Sequence, residues 1–217
     1  MTDVLCNSFL AGISQTIIGH PFDTKKVLMQ NNKVLSFNYR NMMAGIKYPI
    51  MTSSLICSVN FGSYNTLYEA GYSIPVAGFL SGVVVTPIVY VTDIGKVKCQ
   101  VGRNLNWRNI IKNRQRGLTS TFLRESLSFA MYFWSFDYAK NTCGIHPFFA
   151  GAIAGLSNWT LTYPIDVIRS RQLADNISLL EAFKKGELWR GYGICAIRAV
   201  LVNSVGFYVY DFMKENE

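Results

Sequence analysis

The segment TLTYPIDVIR, residues 160–169, decides the fold, because an apolar run ends there in a proline, an acid and a base. It closes a stretch of 25 residues, 141–165, without Asp, Glu, Lys or Arg, and three further charge-free stretches, 4–22, 48–68 and 70–92, span 19, 21 and 23 residues. A helix that crosses a bilayer needs about 20 mostly apolar residues, whereas helices of soluble domains seldom run so far without an outward charge. The sequence therefore predicts an all-α membrane protein and not an ordinary soluble enzyme.

The composition excludes several kinds of site. Each charge-free stretch of the 217-residue chain still carries Ser, Thr, Asn, Gly or Tyr, so one face of these helices is expected to line a wet space. The five cysteines are scattered without a C-x-x-C pair and the two histidines lie far apart, so we expect no metal site, disulfide framework, cysteine catalysis or cofactor. No basic segment precedes the first apolar stretch, so no cleavable presequence is expected.

The charges are distributed unevenly along the chain. Three segments, 23–47, 93–116 and 166–190, hold 17 of the 21 Lys and Arg residues and have a net charge of +11, whereas the remaining flanks sum to −4. If successive helices alternate in direction, the three basic segments lie on one side of the membrane and both termini on the other, as the positive-inside bias of loops requires. A basic surface also suits nucleic acid, but short basic loops between long apolar runs make that alternative the weaker one.

A motif repeats at an interval of about 72 residues. Asp23-x-x-Lys26, Asp93-x-x-Lys96 and Asp166-x-x-Arg169 recur at spacings of 70 and 73, and small residues recur at constant distances before them. A second motif, an aromatic residue followed by an acid and a base, occurs around Asp137 and again around Asp211. The repeats predict a single domain of three helix pairs, approximately 1–70, 71–143 and 144–217, around a pseudo-threefold axis. The six transmembrane helices are expected near 4–30, 44–68, 74–100, 117–140, 147–173 and 191–214.

These motifs resemble the signatures of the mitochondrial carrier family along essentially the whole chain. The P-x-[DE]-x-x-[KR] signature is matched from Pro21 and from Pro164, and in the second repeat without its proline. The aromatic-basic-glycine motif that opens each even helix is intact as Trp189-Arg190-Gly191 and eroded elsewhere, for example around Arg116 and Gly117. The repeats are shorter than the family's usual ones, and the shortening falls in the basic loops.

The resemblance implies two sets of gate contacts, one at each end of the bundle. On the matrix side it pairs Asp23 with Lys96, Asp93 with Arg169 and Asp166 with Lys26, with Gln30 and Gln100 as braces and with Leu173 where a third brace would stand. On the cytosolic side it pairs Asp137 with Lys214, while Asn65 with Lys140 and Asp211 with Tyr68 form hydrogen bonds at best. The matrix gate is therefore expected to be the firmer one. The alternative is that these charges only cap helices at the interface.

Ionisable residues between the gates are candidates for substrate binding. Arg124 and Arg198 lie twelve residues before the aromatic residues of the second motif, about 18 Å from that gate, and Thr52 is the equivalent position in the first repeat. Glu125 follows Arg124 and could hold an ammonium group, although the two could instead neutralise one another. The family's substrate contact points match these positions. Trp159 and His20 are further candidates, because their surroundings resemble those of the carnitine and ornithine carriers. A packing role suits Trp159 equally well, and a packed, neutral histidine suits His20 better than a substrate contact.

Together these features predict a monomeric solute carrier of the mitochondrial inner membrane that works by alternating access, with exchange as the expected mode. The expected substrate is a small amino-acid-like or carnitine-like zwitterion with a carboxylate. A nucleotide carrier is the alternative within the class, and a non-transporting adaptor or leak protein is the alternative outside it. Both termini are expected on the cytosolic side. The resemblance also implies a lipid site, plausibly for cardiolipin, at Arg116, Gly117, Trp189, Arg190 and Gly191.

Overall fold

The computed structural model describes residues 2–33, 39–103 and 116–198, and these ranges contain helices and turns but no strand. The long helices are α1 (Thr2–Gln30), α3 (Lys47–Glu69), α4 (Ile74–Gln100), α5 (Leu118–Asp137) and α6 (Pro147–Asp175). The short helices are α2 (Tyr39–Met42) and α7 (Leu179–Lys184), and residues 192–198 are also helical. The all-α prediction is therefore confirmed for the described residues.

The first five predicted helices differ from the observed ones by three residues or fewer at each end. Differences of three residues occur at the start of α3 and at the end of α5, where the last predicted turn is a π-helical turn, Tyr138–Thr142, instead of α-helix. The predicted sixth helix, 191–214, extends past residue 198 and so lies partly outside the described residues. Pro21, Pro87 and Pro164 all lie inside continuous helices.

Close packing of neighbouring helices depends on glycine. Helix α4 packs along α3 and α5, and α5 packs along α6. At Gly82 a methyl group in place of the hydrogen would stand 2.6 Å from the carbonyl oxygen of Glu125, and at Gly78 it would stand 2.8 Å from that of Phe129. Both distances are far below a normal carbon contact, so α4 and α5 approach as closely as they do only because these residues lack a side chain.

The two ends of the bundle differ in composition. The end where α1, α4 and α6 finish and α5 begins is called the inner end here, and the end where α3 and α5 finish and α4 begins is called the outer end. The antiparallel order follows from the short connections between α3 and α4 and between α5 and α6. Charged side chains meet at the inner end, and aromatic side chains line the outer end.

Polarity is distributed as expected for a bundle whose exterior is apolar. Many buried side chains are polar, including Lys26, Gln30, Glu125 and Asp166, whereas large apolar side chains such as Met51 are exposed. Buried polar groups and exposed apolar ones are the informative exceptions in a soluble protein, and together they fit a bundle surrounded by lipid. By length and composition alone, α4 is the one helix within the described ranges that qualifies as an apolar membrane span.

Helix α7 is attached to the inner end by a buried arginine. The Ser178 hydroxyl accepts a hydrogen bond from the Glu181 amide while the Glu181 carboxylate accepts one from the Ser178 amide, and these bonds hold the pKa of Glu181 below its ordinary value. Arg171 of α6 is almost fully buried and donates to the carbonyls of Ala182 and Gly186 and, through Nε, to that of Gln30. Arg171 therefore joins the ends of α1 and α7.

Candidate functional site

Three ion pairs close the inner end, and they join the residues that the sequence analysis paired. Lys26 Nζ lies 2.7 Å from Asp166 Oδ2, Lys96 Nζ lies 2.7 Å from Asp23 Oδ2, and Arg169 Nη1 lies 2.8 Å from Asp93 Oδ2. Each pair links two different long helices, because each signature places its acid and base one turn apart on the same helix face. The side chains of these six residues are all less than a fifth exposed.

The two predicted glutamine braces behave differently. Gln30 Nε2 lies 3.2 Å from Asp166 Oδ2 and therefore supports the pair that this acid makes. Gln100 Nε2 instead donates to Thr24 Oγ1 at 3.1 Å, so its contact is with the residue after Asp23 and not with the acid. Leu173, at the third brace position, is fully buried in an apolar cluster with Val27 and Ile94.

Arg169 is the centre of the network, because it contacts three acids from three helices. Besides Asp93 of α4 it lies 3.1 Å from Glu125 of α5 and 3.2 Å from Asp166 of its own helix. The planar guanidinium group can contact several carboxylates at once, which a lysine ammonium on a flexible stem does less well. The third signature thus ends in the residue type that suits this position.

The candidate substrate residues belong to the same network, which differs from the separate central site that the sequence analysis expected. Arg124 Nη1 lies 2.6 Å from Glu125 Oε1, and Arg124 Nε lies 3.8 Å from Asp166 Oδ1. Arg198 Nε lies 2.6 Å from Asp23 Oδ1. The contact between Arg124 and Glu125, which the sequence analysis gave as the alternative to ammonium binding by Glu125, is therefore present. The physical reason is depth: these residues stand near the inner ends of their helices, within reach of the signature acids.

Trp159 contacts the cations of this network. Lys26 Nζ stands 4.3 Å from the centroid of its ring and Arg124 Cζ stands 5.2 Å from it. The negative face of an indole attracts cations at such distances, so Trp159 stabilises two charged side chains of the protein itself. The ring face that was expected to receive a substrate ammonium is engaged in this structure.

Two other predicted substrate residues make contacts of a structural kind. His20 is buried, and its Nε2 lies 2.9 Å from the carbonyl oxygen of Ala44, which fits the packed, neutral histidine that the sequence analysis considered. Thr52 is half-buried and donates its hydroxyl proton to the carbonyl of Tyr48, one turn earlier in the same helix. No hydrogen bond or ion pair in the described ranges joins either residue to the charge network.

The outer end contains a cavity of about 390 Å³. Asn65, Tyr68, Asp137 and Lys140, which were predicted to belong to the cytosolic gate, all line it. No hydrogen bond joins Asn65 to Lys140 in the described part of the chain, so this predicted link is absent here. The other two predicted members of that gate, Asp211 and Lys214, lie outside the described residues.

The residues predicted to bind lipid lie at two junctions near the inner end. The Trp189 ring stacks on Tyr163 at 5.9 Å between centroids and is half exposed, and the Tyr163 hydroxyl donates to the carbonyl of Arg190. Gly191 has a φ of 89°, and a methyl group there would stand 3.0 Å from the Tyr163 hydroxyl. Tyr163, which precedes Pro164, was missed by the sequence analysis although it organises this junction.

At the other junction, the Arg116 amide donates to Asn176 Oδ1 at 2.7 Å. Gly117 has a φ of 113° and begins α5 against Leu173, whose Cδ2 would stand 2.9 Å from an added methyl group. Both glycines thus occupy left-handed positions that a residue with a side chain rarely adopts.

The charged side chains of this network are bound to one another, and a competing ion could separate them. Taken together it contains five cations and four acids, so Lys96 and Arg198 share one acid, Asp23. Removing one member of a buried pair is costly because the partner stays charged, whereas a solute that supplies a replacement charge can separate the pair at little cost. Such an arrangement suits reversible closure of a polar path.

A family model described as "Mitochondrial carrier protein" matches residues 143–216, which include the third signature and the intact Trp189-Arg190-Gly191 motif. Curated relatives match over almost the whole chain. The human "Mitochondrial basic amino acids transporter" is 27% identical over 255 aligned positions, which cover 90% of this chain and 84% of that protein. Because this chain has only 217 residues, such relatives carry additional residues without a counterpart here.

Two further relatives come from a plant and a yeast. The "Mitochondrial arginine transporter BAC2" of Arabidopsis thaliana is 23% identical, with 92% of this chain and 86% of that protein covered. The "Mitochondrial ornithine transporter 1" of Saccharomyces cerevisiae is 26% identical, with 97% of this chain and 94% of that protein covered. All three relatives are named as carriers of amino acids.

Proposed function

We propose that this chain is a carrier of the mitochondrial carrier type that exchanges small amino-acid-like metabolites across the mitochondrial inner membrane by alternating access. The substrate class is a solute with a carboxylate and an ammonium group. It includes the basic amino acids for which the human, plant and yeast relatives are named. Transport of this kind needs no covalent step, so the protein is a transporter and not an enzyme.

The architecture that goes with this proposal consists of three repeats, approximately 1–70, 71–143 and 144–217. Six membrane-spanning helices surround a pseudo-threefold axis, both termini face the cytosolic side, and the protein acts as a monomer. The inner end defined above then faces the matrix. This orientation agrees with the basic segments of the sequence and with the positive-inside bias of loops.

The observation that carries the proposal is the contact between the substrate residues and the matrix ion pairs. Arg198 is held by Asp23, and Arg124 is held by Glu125 and Asp166, so a zwitterion that binds these arginines and Glu125 must replace contacts that keep the inner end closed. A ligand shifts a two-state equilibrium only through differential affinity for the two states, and this exchange of partners supplies that difference. Binding and opening are thereby coupled without a separate relay.

The charge balance favours a zwitterion over a nucleotide. The network has a net charge of +1, and each of its cations already contacts an acid. A nucleotide with several negative charges would need several uncompensated cations, whereas one carboxylate and one ammonium match the exchange of one base and one acid. The names of the relatives favour the same class.

We further propose that an anionic lipid, plausibly cardiolipin, binds where Arg116 and Gly117 open α5 and where Trp189, Arg190 and Gly191 precede the last described helix. Free amides at a helix start and a neighbouring arginine favour a phosphate group. The half-exposed Trp189 ring suits the level of the lipid headgroups.

Exchange measured in proteoliposomes tests the proposed function. Liposomes that contain the full chain and are preloaded with L-arginine or L-ornithine should take up the labelled amino acid, and Arg198→Ala or Arg124→Ala should reduce uptake at least about tenfold. Arg103→Ala is the matched control, because Arg103 is half exposed and pairs with Asp175 away from the network. A non-transporting adaptor would show no exchange with any preloaded solute. Exchange of nucleotides alone would refute the substrate class but not the family.

A further inference from the structure

Aromatic side chains form most of the walls of the outer cavity. It lies between the end of α3, the start of α4 and the end of α5, and it holds two charged residues, Asp137 and Lys140. Its aromatic lining residues are Phe61, Tyr64, Tyr68, Tyr132, Phe133 and Phe136. Tyr64 and Phe133 stack at 3.7 Å between centroids, which fixes the wall between α3 and α5. A cavity of about 390 Å³ falls within the size range of small-molecule sites.

Asp137 differs from every acid of the inner network. Each of those four acids contacts at least one base, whereas Asp137 accepts a hydrogen bond from the neutral Asn141 at 2.5 Å and pairs with no cation in the described ranges. Lys140, three residues later, does not pair with it and lies within the π-helical turn Tyr138–Thr142. A π turn changes the angular step between side chains and is common at functional sites.

The cavity already accommodates a cation on one of its rings. Lys140 Nζ stands 5.9 Å from the centroid of Phe136. A carboxylate together with several aromatic faces is the combination that recognises ammonium and guanidinium groups, because both features attract positive charge and the rings remove water from it. At the inner end, by contrast, Glu125 is held by Arg124 and Arg169 in this structure, so a solute cation reaches it only after these contacts separate.

We propose that the outer cavity is an entry subsite for the cationic group of the solute, with Asp137 as its charged ligand and Phe136 as its aromatic wall. This inference rests on the proposed function, since it concerns the same solutes. It assigns their carboxylate to the inner arginines and their side-chain cation, during entry, to the outer end. It also gives Asp137 a second partner besides Lys214, which the family resemblance assigns to it.

Two solutes of nearly the same shape test the subsite. L-Arginine carries a guanidinium group where L-citrulline carries a neutral urea group, so their transport constants report recognition of the side-chain charge. Asp137→Asn should raise the KM for external arginine roughly tenfold, leave the KM for citrulline nearly unchanged, and have little effect on arginine presented from the inner side. Glu69→Gln is the matched control, because Glu69 is an exposed acid at the same end that does not line the cavity.

A second pair of variants separates the subsite from a gate contact. If Asp137 served only to pair with Lys214, then Asp137→Asn and Lys214→Gln would change transport of both solutes alike, and that result would overturn the proposal. In the proposed arrangement Lys214→Gln removes a competitor and does not raise the KM for arginine. Phe136→Leu should raise that KM about threefold, while Phe183→Leu, at the exposed helix α7, should not.

Thermal unfolding, which does not depend on transport, tests the subsite separately from the proposed transport function. Arginine should raise the unfolding temperature of the purified full chain more than citrulline does, and Asp137→Asn should abolish the difference. If no solute is exchanged but this difference is present, the proposed function fails and the subsite stands. If arginine and citrulline are exchanged with equal KM values by the wild-type chain and by Asp137→Asn, the subsite is refuted and the function stands.

Discussion

The substitution Gly82→Ala tests whether the close crossing of α4 and α5 sets the position of Glu125. The added methyl carbon would stand 2.6 Å from the Glu125 carbonyl oxygen and 2.7 Å from Ser126 Cα. Both atoms belong to the backbone, so the contact cannot be relieved by rotation of a side chain. Restoring a normal separation requires the two helices to move apart by about 1 Å at this crossing.

The size of the effect follows from two opposing terms. Overpacking of this kind costs about 1 to 3 kcal/mol, and alanine in place of glycine inside a helix returns about 0.5 to 1 kcal/mol. The net destabilisation is at most about 2.5 kcal/mol and is centred on about 1 kcal/mol, which corresponds to an unfolding temperature lower by about 2 to 4 °C for a chain of this length. Gly78→Ala, whose shortest contact would be 2.8 Å, should have a smaller effect of the same sign.

Thermal unfolding of the purified full chain provides the measurement, and transport provides a second one. Gly62→Ala is the control, because an added methyl group at Gly62 meets nothing within 4 Å and should leave the unfolding temperature unchanged or slightly raised. Since Glu125 lies 2.6 Å from Arg124 and 3.1 Å from Arg169, a displacement of about 1 Å should also impair exchange. The reasoning is refuted if Gly82→Ala unfolds at the same temperature as Gly62→Ala.

Three further predictions concern the inner end. Arg169→Lys should lower the exchange rate about tenfold, because one ammonium cannot reach three acids, and the half-exposed Arg103→Lys should not; equal rates in proteoliposomes would contradict this. Gln30→Ala should impair exchange more than Gln100→Ala, because only Gln30 contacts a signature acid, and the opposite order would show that this bond is unimportant. Ser178→Ala should weaken α7 by about 1 kcal/mol, visible as faster hydrogen exchange of its amides with transport unchanged.

Repetition in the sequence made the helices and the inner ion pairs predictable. A signature that recurs three times at constant phase specifies which residues share a level in the bundle, even where one copy, at Val91, lacks its proline. The family resemblance then implies that an acid from one copy pairs with a base from another. The glycines of α4 were also recognised, because small residues recur at fixed distances before each signature.

Local chemistry was less predictable where no repeat supports it. The motif Ser178-x-x-Glu181 is a capping box, and it was a usable signal for α7 that the sequence analysis did not consider. The π turn after Asp137 had no such signal, because the charge pattern fits an α-helical turn equally well. The role of Tyr163 depends on contacts with Gln30 and Arg190, which are far away in the sequence.

The depth of Arg124 in the bundle depends on the end of the helix from which it is counted. Counting twelve residues from the outer motif places this arginine about 18 Å from the outer gate, and that value suggested the middle of the membrane. Counted from the other end, Arg124 lies six residues after Leu118, or about 9 Å inside α5, and Asp93 lies seven residues, or about 10 Å, before the end of α4. The two side chains therefore occupy nearly the same level, so contact between the substrate residues and the matrix acids follows from helix length once both ends are counted. The twenty residues of α5 span about 30 Å, and the candidate substrate residues Arg124 and Arg198 share their acids with the inner ion pairs.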